Sequence, residues 1–334
     1  MRHIRANVRE VLQAEDGDII GVKLDTDQQV NGDLFIDCTG FSALLLGKTL
    51  GVPFKPCNDV LFADRALAAQ VPYETDDAPV ASHTVSTAQS AGWIWDIGLP
   101  TRRGTGYVYS SAHIDEAQAQ RELAAYLGDG AERLTYRTIK IQAGHRERFW
   151  ERNCVAIGVA AGFLEPLEAS AIVLIELSAR IVAEQLPACR EVMDIVAKRF
   201  NATTLYRWGR IIDFLKLHYV LTKRTDTPFW RDNVAENSIP DRLRDLLQLW
   251  RYQPPWLFDE FDRLEEVFPS ASYQYVLYGM GFETDLMAED VAGSSKQAAK
   301  LMAENDNIAR KMAQQLPRHR ALLTKIREHG LQRI

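Results

Sequence analysis

The sequence predicts a mixed chain of the α+β / α/β class, β-rich in its first half and helical in its second. Three observations carry this. Short apolar runs with β-branched and aromatic content, separated by turn residues, recur up to about residue 108. From Asp115 onward the apolar period lengthens to that of helices. Between the halves, an apolar run from Cys154 reads as a strand and enters a stretch of small residues that opens a helix.

Each element follows from local signals. Residues 7–12 and 19–24 alternate around Glu15-Asp16-Gly17-Asp18, which reads as a hairpin turn. Leu34-Phe35-Ile36 before Asp37-Cys38-Thr39-Gly40 reads as a short buried strand, parallel in its sheet. Residues 60–71 and 84–108 predict further strands, with a turn at Arg102-Arg103-Gly104-Thr105-Gly106. Asp115 predicts an N-cap, with Gln118 completing a partial capping box, for a helix to Leu127 that Gly128-Asp129-Gly130 ends. Residues 154–157 predict another strand. Beyond Pro166, placed near a first helical turn, Leu174, Leu177, Ile181 and Leu186 mark one helical face. Pro187 interrupts that helix, and residues 190–200, 205–221, 241–250 and 295–316 predict others. The loop at Pro254-Pro255-Trp256 separates two of them.

At 334 residues the chain is long enough for about two domains. The expected division is a β-rich domain over 1–175 and a mostly helical domain over 176–334. Hydrophobic residues at 46% and charged residues at 25% exclude disorder for the bulk. A net charge of −6 from 39 basic and 45 acidic residues argues against nucleic acid and anionic membranes as partners. Cys38, Cys57, Cys154 and Cys189 form no CxxC pair and no zinc spacing. They predict reduced, buried thiols, no metal and a cytoplasmic setting. Charges throughout the first twenty residues predict no signal peptide, and no apolar run is long enough to predict a membrane span.

Five segments are candidates for chemistry. The strand ending at Gly40 either makes an ordinary turn or lets backbone approach a ligand. The stretch Gly158-Val159-Ala160-Ala161-Gly162 leads through Glu165-Pro166-Leu167-Glu168 to Ala169-Ser170-Ala171-Ile172. Its small residues leave the N–H groups of a helix start open to an anion, with Glu168 as a positioned carboxylate; alternatively the acidic residue complements the helix dipole. Trp93 and Trp95, two apart on a strand, either wall an aromatic pocket or fill the core. His218 on its helix is an acid–base group or a packing residue. The aromatics of residues 268–278 suit a lid or a packed loop.

Taken in this order, these segments make the chain resemble the flavin-dependent tryptophan halogenases. The resemblance rests on residues 33–41, Gly92-Trp93-Ile94-Trp95-Asp96-Ile97, residues 104–111, the block from Gly158 to Ile172, and residues 217–230. It implies a flavin monooxygenase-type FAD-binding domain, partial here over 1–175 with a β-sheet portion facing substrate, joined to a mostly α-helical substrate domain over 176–334. Reduced FAD, supplied by a separate flavin reductase, then reacts with oxygen and a halide to give hypohalous acid, which reaches a lysine near the substrate. The resemblance implies Glu168 as catalytic, Ser170 and Ala171 as halide-binding, and Val159, Ile172, Gly40 and Gly162 as FAD-contacting. Trp93, Trp95 and Ala169 fall on the substrate pocket.

The sequence departs from the family pattern in three places. Gly98 follows Ile97 where the family has proline. Ala169-Ser170-Ala171 stands where tryptophan-specific members read Ser-Thr-Gly, which points away from free tryptophan. No GxGxxG opens the chain, so the N-terminal βαβ unit with its diphosphate glycines and catalytic lysine is expected to be absent. The resulting expectation is a halogenase portion acting on an indole or other electron-rich aromatic, with chloride or bromide as co-substrate. The chain alone is expected to be inactive. A second copy of the chain, or a chain bearing the missing unit, is the expected protein partner. The alternatives are an aromatic-hydroxylating flavin monooxygenase and a non-enzymatic remnant.

Overall fold

The computed structural model describes residues 1–256, 266–285 and 295–331. The first half is built of short strands: β1 (Val8–Gln13), β2 (Ile19–Leu24), β3 (Gln29–Asn31), β4 (Phe35–Asp37), β5 (Phe54–Pro56), β6 (Arg65–Pro72), β7 (Val85–Gln89), β8 (Gly92–Gly98) and β9 (Arg102–Tyr109). The helix α1 (Glu116–Leu127) interrupts them, and β10 (Arg137–Lys140), β11 (Gly144–Arg146), β12 (Trp150–Glu151), β13 (Cys154–Ala156) and β14 (Gly162–Phe163) follow. Helices α2 (Ser170–Glu184), α3 (Arg190–Val220), α4 (Pro228–Asn233), α5 (Asp241–Leu249), α6 (Ser270–Gly279), α7 (Ser295–Gln315) and α8 (His319–His329) make the second half.

Four sheets result. β1, β2 and β3 form an antiparallel ribbon whose first turn holds Gly17 at φ 88°, as the acidic Gly-containing turn predicts. Asn153 anchors it, accepting from Ile19 N at 2.8 Å and donating to Ile19 O at 2.7 Å. β4 pairs in parallel with β13, and β12 closes that small sheet. β14, β11 and β5 form a third. The largest sheet runs in the order β10-β6-β9-β8-β7, all antiparallel. One core continues from Ile19 in the ribbon through Ile94, Tyr107 and Val155 to Trp208 and Trp230 in the helical half. A smaller cluster joins Phe214 and Leu217 of α3 to Leu243, Trp250 and Tyr273.

Several local expectations change. The segment 102–106 is strand rather than turn; the turn falls at Leu99-Pro100-Thr101. Gly106 serves packing, since a Cβ there would lie 2.3 Å from the Trp95 ring. The strand expected over 60–71 begins only at Arg65. Helix α2 starts at Ser170, four residues after Pro166, and its buried face is Ser170, Leu174, Ser178 and Val182 rather than the predicted row, of which only Leu174 is buried. The two helices expected on either side of residues 201–204 are one continuous α3. Asn201 does not break it, because its side chain bonds outward, accepting from Phe149 N and Trp150 N and donating to Trp150 O. The aromatic stretch 268–278 forms α6, which buries Tyr273 and Leu277 one turn apart. Cys57 and Cys154 are buried, whereas Cys38 and Cys189 are exposed; all four are free. Among the described residues no helix is long and apolar enough to cross a membrane.

Candidate active site

Three backbone turns meet beside α2, and each has a local cause. The first follows β4. Asp37, fully buried, accepts from Thr39 N and Thr39 Oγ1 through one oxygen and from Leu45 N and Leu46 N through the other. These four bonds hold residues 39–46 in a tight 3₁₀ turn followed by the start of a π-helical turn. Gly40 sits on it at φ 66°, with open space where a side chain would project.

The second turn follows β13. Gly158 takes φ 72°, and the 3₁₀ turn Gly158–Ala160 packs against the turn at Gly40. Gly162 then pairs with His145 of β11 in a space without room for a side chain, where an added Cβ would meet Gly144 O at 2.5 Å and Trp208 at 2.6 Å.

The third turn carries the carboxylates. Residues 165–169 leave β14, turn through an Ala169 N to Pro166 O bond at 3.1 Å, and enter α2 through Ala169 at φ 51°. A left-handed alanine costs on the order of 1 kcal/mol, so surrounding contacts must hold it. No side chain caps the start of α2, which leaves its first N–H groups available to an anion. Val159, Gly162, Ser170 and Ala171 line one narrow, mostly apolar cavity together with Leu174 and Trp208. The sequence expectation therefore places four of its residues around one space. Glu168 and Ala169 stand immediately before it, and Gly40 lies on the adjoining turn. Ile172 points elsewhere and is 64% exposed.

The carboxylates at the two ends of this loop meet consecutive residues of α3. Tyr219 donates its hydroxyl to Glu165 Oε2 at 2.8 Å, and Trp93 donates its indole N–H to the same oxygen at 3.3 Å. Glu168 Oε1 lies 2.9 Å from His218 Nε2. Glu165 is buried, and burial pushes its carboxyl pKa up against the opposing hydrogen bonds. Burial likewise holds the Tyr219 phenol well above its usual value. Lys216, on the same turn of α3 and 0% exposed, contacts Asn233 Oδ1 at 2.9 Å and stands 4.8 Å over the Phe62 ring. Burial brings its pKa down to about 7, against the pull of the Glu165 charge.

The sequence singled out His218 without linking it to Glu168, and it did not single out Glu165, Lys216, Tyr219 or Asp37. The paired carboxylates in Glu165-Pro166-Leu167-Glu168 and the run Lys216-Leu217-His218-Tyr219 were the available signals. Trp93 is buried and serves as a donor to the loop. Trp95 crosses its ring at 6.4 Å, 65° from parallel. Among the described residues no cluster of three or more His, Cys, Asp or Glu is placed to hold a metal ion.

The comparisons agree on one family. A family model described as tryptophan halogenase matches residues 1–296. Tryptophan 6-halogenase SttH of Streptomyces toxytricini is 35% identical over 84% of this chain and 53% of its own length. The 7-chloro-L-tryptophan 6-halogenase KtzR of a Kutzneria species is 33% identical over 98% of this chain and 63% of its own. The crystal structure of a tryptophan halogenase from Shewanella frigidimarina superposes with a TM-score of 0.95 at 47% identity, covering 99% of this chain and 64% of the other. The chain thus spans between half and two thirds of the length of these relatives.

Proposed function

The chain belongs to the tryptophan halogenase family, and from that membership we propose that it carries the halide- and substrate-facing part of an FAD-dependent halogenase. The substrate class is an indole or similarly electron-rich aromatic, and the halide is chloride or bromide. One observation carries the reading: Glu168 stands directly before an uncapped helix start whose Ser170 and Ala171 face a cavity shared with Val159 and Gly162.

These residues fit a flavin edge. Gly40 has nothing within 4 Å of where a Cβ would project, and Gly158 has only Ile175 at 3.7 Å. Both turns therefore offer bare backbone to a flat ring. Reduced FAD bound there supplies the electrons with which oxygen and halide yield an electrophilic halogen. The α2 N-terminus holds the halide through its N–H groups and dipole. Glu168 places negative charge beside the ring carbon that becomes cationic and accepts the proton the halogen replaces. The buried Trp93, tied to Glu165, keeps the double-tryptophan strand rigid. The indole pair favours halogenation over hydroxylation by separating substrate from flavin, which ranks the monooxygenase reading second.

A separate flavin reductase supplies the reduced FAD in the proposed system. The four free cysteines support a reducing, cytoplasmic setting. Crystals soaked in bromide test the central assignment. An anomalous peak at the backbone N–H groups of Ser170 and Ala171 is expected. Bromide bound at the surface but absent from that helix start would overturn it.

A further inference from the structure

Resting on that reading, we infer that His218 is the positioning partner of Glu168, and that the two side chains form a dyad sharing one proton across Nε2 and Oε1.

The proton count follows from the contacts. His218 Nδ1 lies 2.8 Å from the carbonyl oxygen of Phe214, one turn earlier in α3. A carbonyl only accepts, so Nδ1 carries a hydrogen. His218 Nε2 lies 2.9 Å from Glu168 Oε1. An ionised carboxylate also only accepts, so this second contact needs one more proton between the two atoms. The pair is then either an imidazolium facing a carboxylate or a neutral imidazole accepting from a carboxylic acid. Both forms have the same net charge of zero and the same proton inventory. The tautomer is fixed by the backbone, as in the carboxylate–histidine pairs of other enzymes.

The surroundings make the dyad rigid but reachable. The Phe214 ring meets the imidazole edge-on at 5.1 Å and 90°. Leu215, Leu217 and Tyr219 on either side are buried. The neighbouring bond from Tyr219 to Glu165 fixes the start of the loop, and the left-handed Ala169 fixes its end. The titratable groups linked to the dyad through Glu165 on the loop are Lys216 and Tyr219 on the helix, and the Glu165 and His218 charges attract each other. Glu165 and its partner Tyr219 are shut away, whereas the His218 and Glu168 side chains are 21% and 34% exposed. The two glutamates of the loop thus divide the work: Glu165 anchors it and Glu168 faces substrate.

Halogenation of a ring carbon forms one carbon–halogen bond and breaks one carbon–hydrogen bond, whose electron pair returns to the ring. The released proton goes to Glu168. In the imidazolium–carboxylate form Glu168 is the anion that takes this proton: Oε1 is held on His218, and among the described residues Oε2 has no hydrogen-bond partner, so the proton adds there. Without His218 the carboxylate carries a full uncompensated charge and rotates freely.

The test is ¹⁵N-detected NMR of the His218 ring on the full chain, with His218→Gln identifying the signal and circular dichroism verifying that each variant folds. It needs neither bound FAD nor turnover, so its failure is separable from failure of the halogenase reading. The parent chain is expected to show a hydrogen on Nδ1 and a low-field proton shared between Nε2 and Oε1 that exchanges slowly with water. In Glu168→Gln that shared-proton signal is expected to be lost while the Nδ1 hydrogen remains, and Glu168→Asp is expected to retain part of it. The dyad is overturned if the Nε2 signals of the parent chain and of Glu168→Gln are identical, or if the ring reports the tautomer with Nδ1 unprotonated.

Discussion

The Trp95 indole lies across the backbone of Gly106 on the neighbouring strand, so close that a Cβ there would stand 2.3 Å from two of its ring atoms and 2.7 Å from Leu67 O. The second tryptophan of the pair therefore depends on a missing side chain opposite it. Gly106→Ala must move either the indole or strand β9. The overpacking is expected to destabilise the chain by about 2 kcal/mol, seen as a melting temperature lower by several degrees. An unchanged melting curve with unchanged tryptophan emission would show that Trp95 is not held as described.

That contact also marks where the sequence was hard to read. Two glycines and a threonine after two arginines look like a turn, because the need for the gap lies in a side chain of the neighbouring strand and not in the segment itself. Signals that act within a few residues were legible: the Gly17 hairpin, the Asp115 cap accepting from Gln118 N at 2.7 Å, and the strands at Phe35 and Cys154, the first parallel as expected but not buried, since Ile36 is exposed and Asp37 takes the buried place. The gathering of Val159, Gly162, Ser170 and Ala171 was legible too, because they lie within thirteen residues of one another. The contact of His218 with Glu168 spans fifty residues and depends on the turn of α3 that faces the loop. Nothing local in either segment announces it.

The Tyr219–Glu165–Trp93 junction should be energetically visible. Glu165→Ala leaves a buried phenol and a buried indole N–H without their acceptor. Each loss costs about 1–3 kcal/mol, and the cavity adds to it. Tyr219→Phe removes one donor and leaves Trp93 in place, so its cost is expected near the lower end of that range. Urea denaturation of the two variants gives the comparison. Equal effects from both would argue that Glu165 does not join the two elements.

Lys216 gives the chain a pH-dependent stability of defined sign. Its folded pKa, about 7, lies below its unfolded value. Between pH 7 and about 10 the unfolded chain therefore binds more protons at this site, and stability rises with pH across that window. The contribution is on the order of a few kcal/mol. Cys57, pushed up to about 12 by burial, and Cys154, also raised, oppose it above about pH 9, where the unfolded thiols lose protons first. Comparison with Lys216→Met isolates the lysine: its unfolding free energy, measured from pH 6.5 to 9, should lack the rise seen in the parent chain. A parallel pair of curves would refute a neutral buried amine, whatever the absolute cost of leaving Asn233 without its partner.

The last prediction concerns turnover by the chain alone. It holds the proposed carboxylate, helix start and tryptophan pair, but among the described residues no lysine lines the cavity at the start of α2. The one lysine on the nearby turn of α3, Lys216, is fully buried against Phe62 and Asn233. Its amine has no route to a substrate, so it does not stand in for the lysine that the family pattern places beside the ring. Incubated with a flavin reductase, FAD, oxygen, bromide and an indole, the chain is expected to give no brominated product. Mass spectrometry decides this, because a single bromine appears as a nearly equal pair of peaks two mass units apart. Such a pair, abolished by Glu168→Gln and retained in Lys216→Met, would mean that Glu168 suffices without a neighbouring amine, and the role assigned to the lysine would have to pass to the dyad with His218.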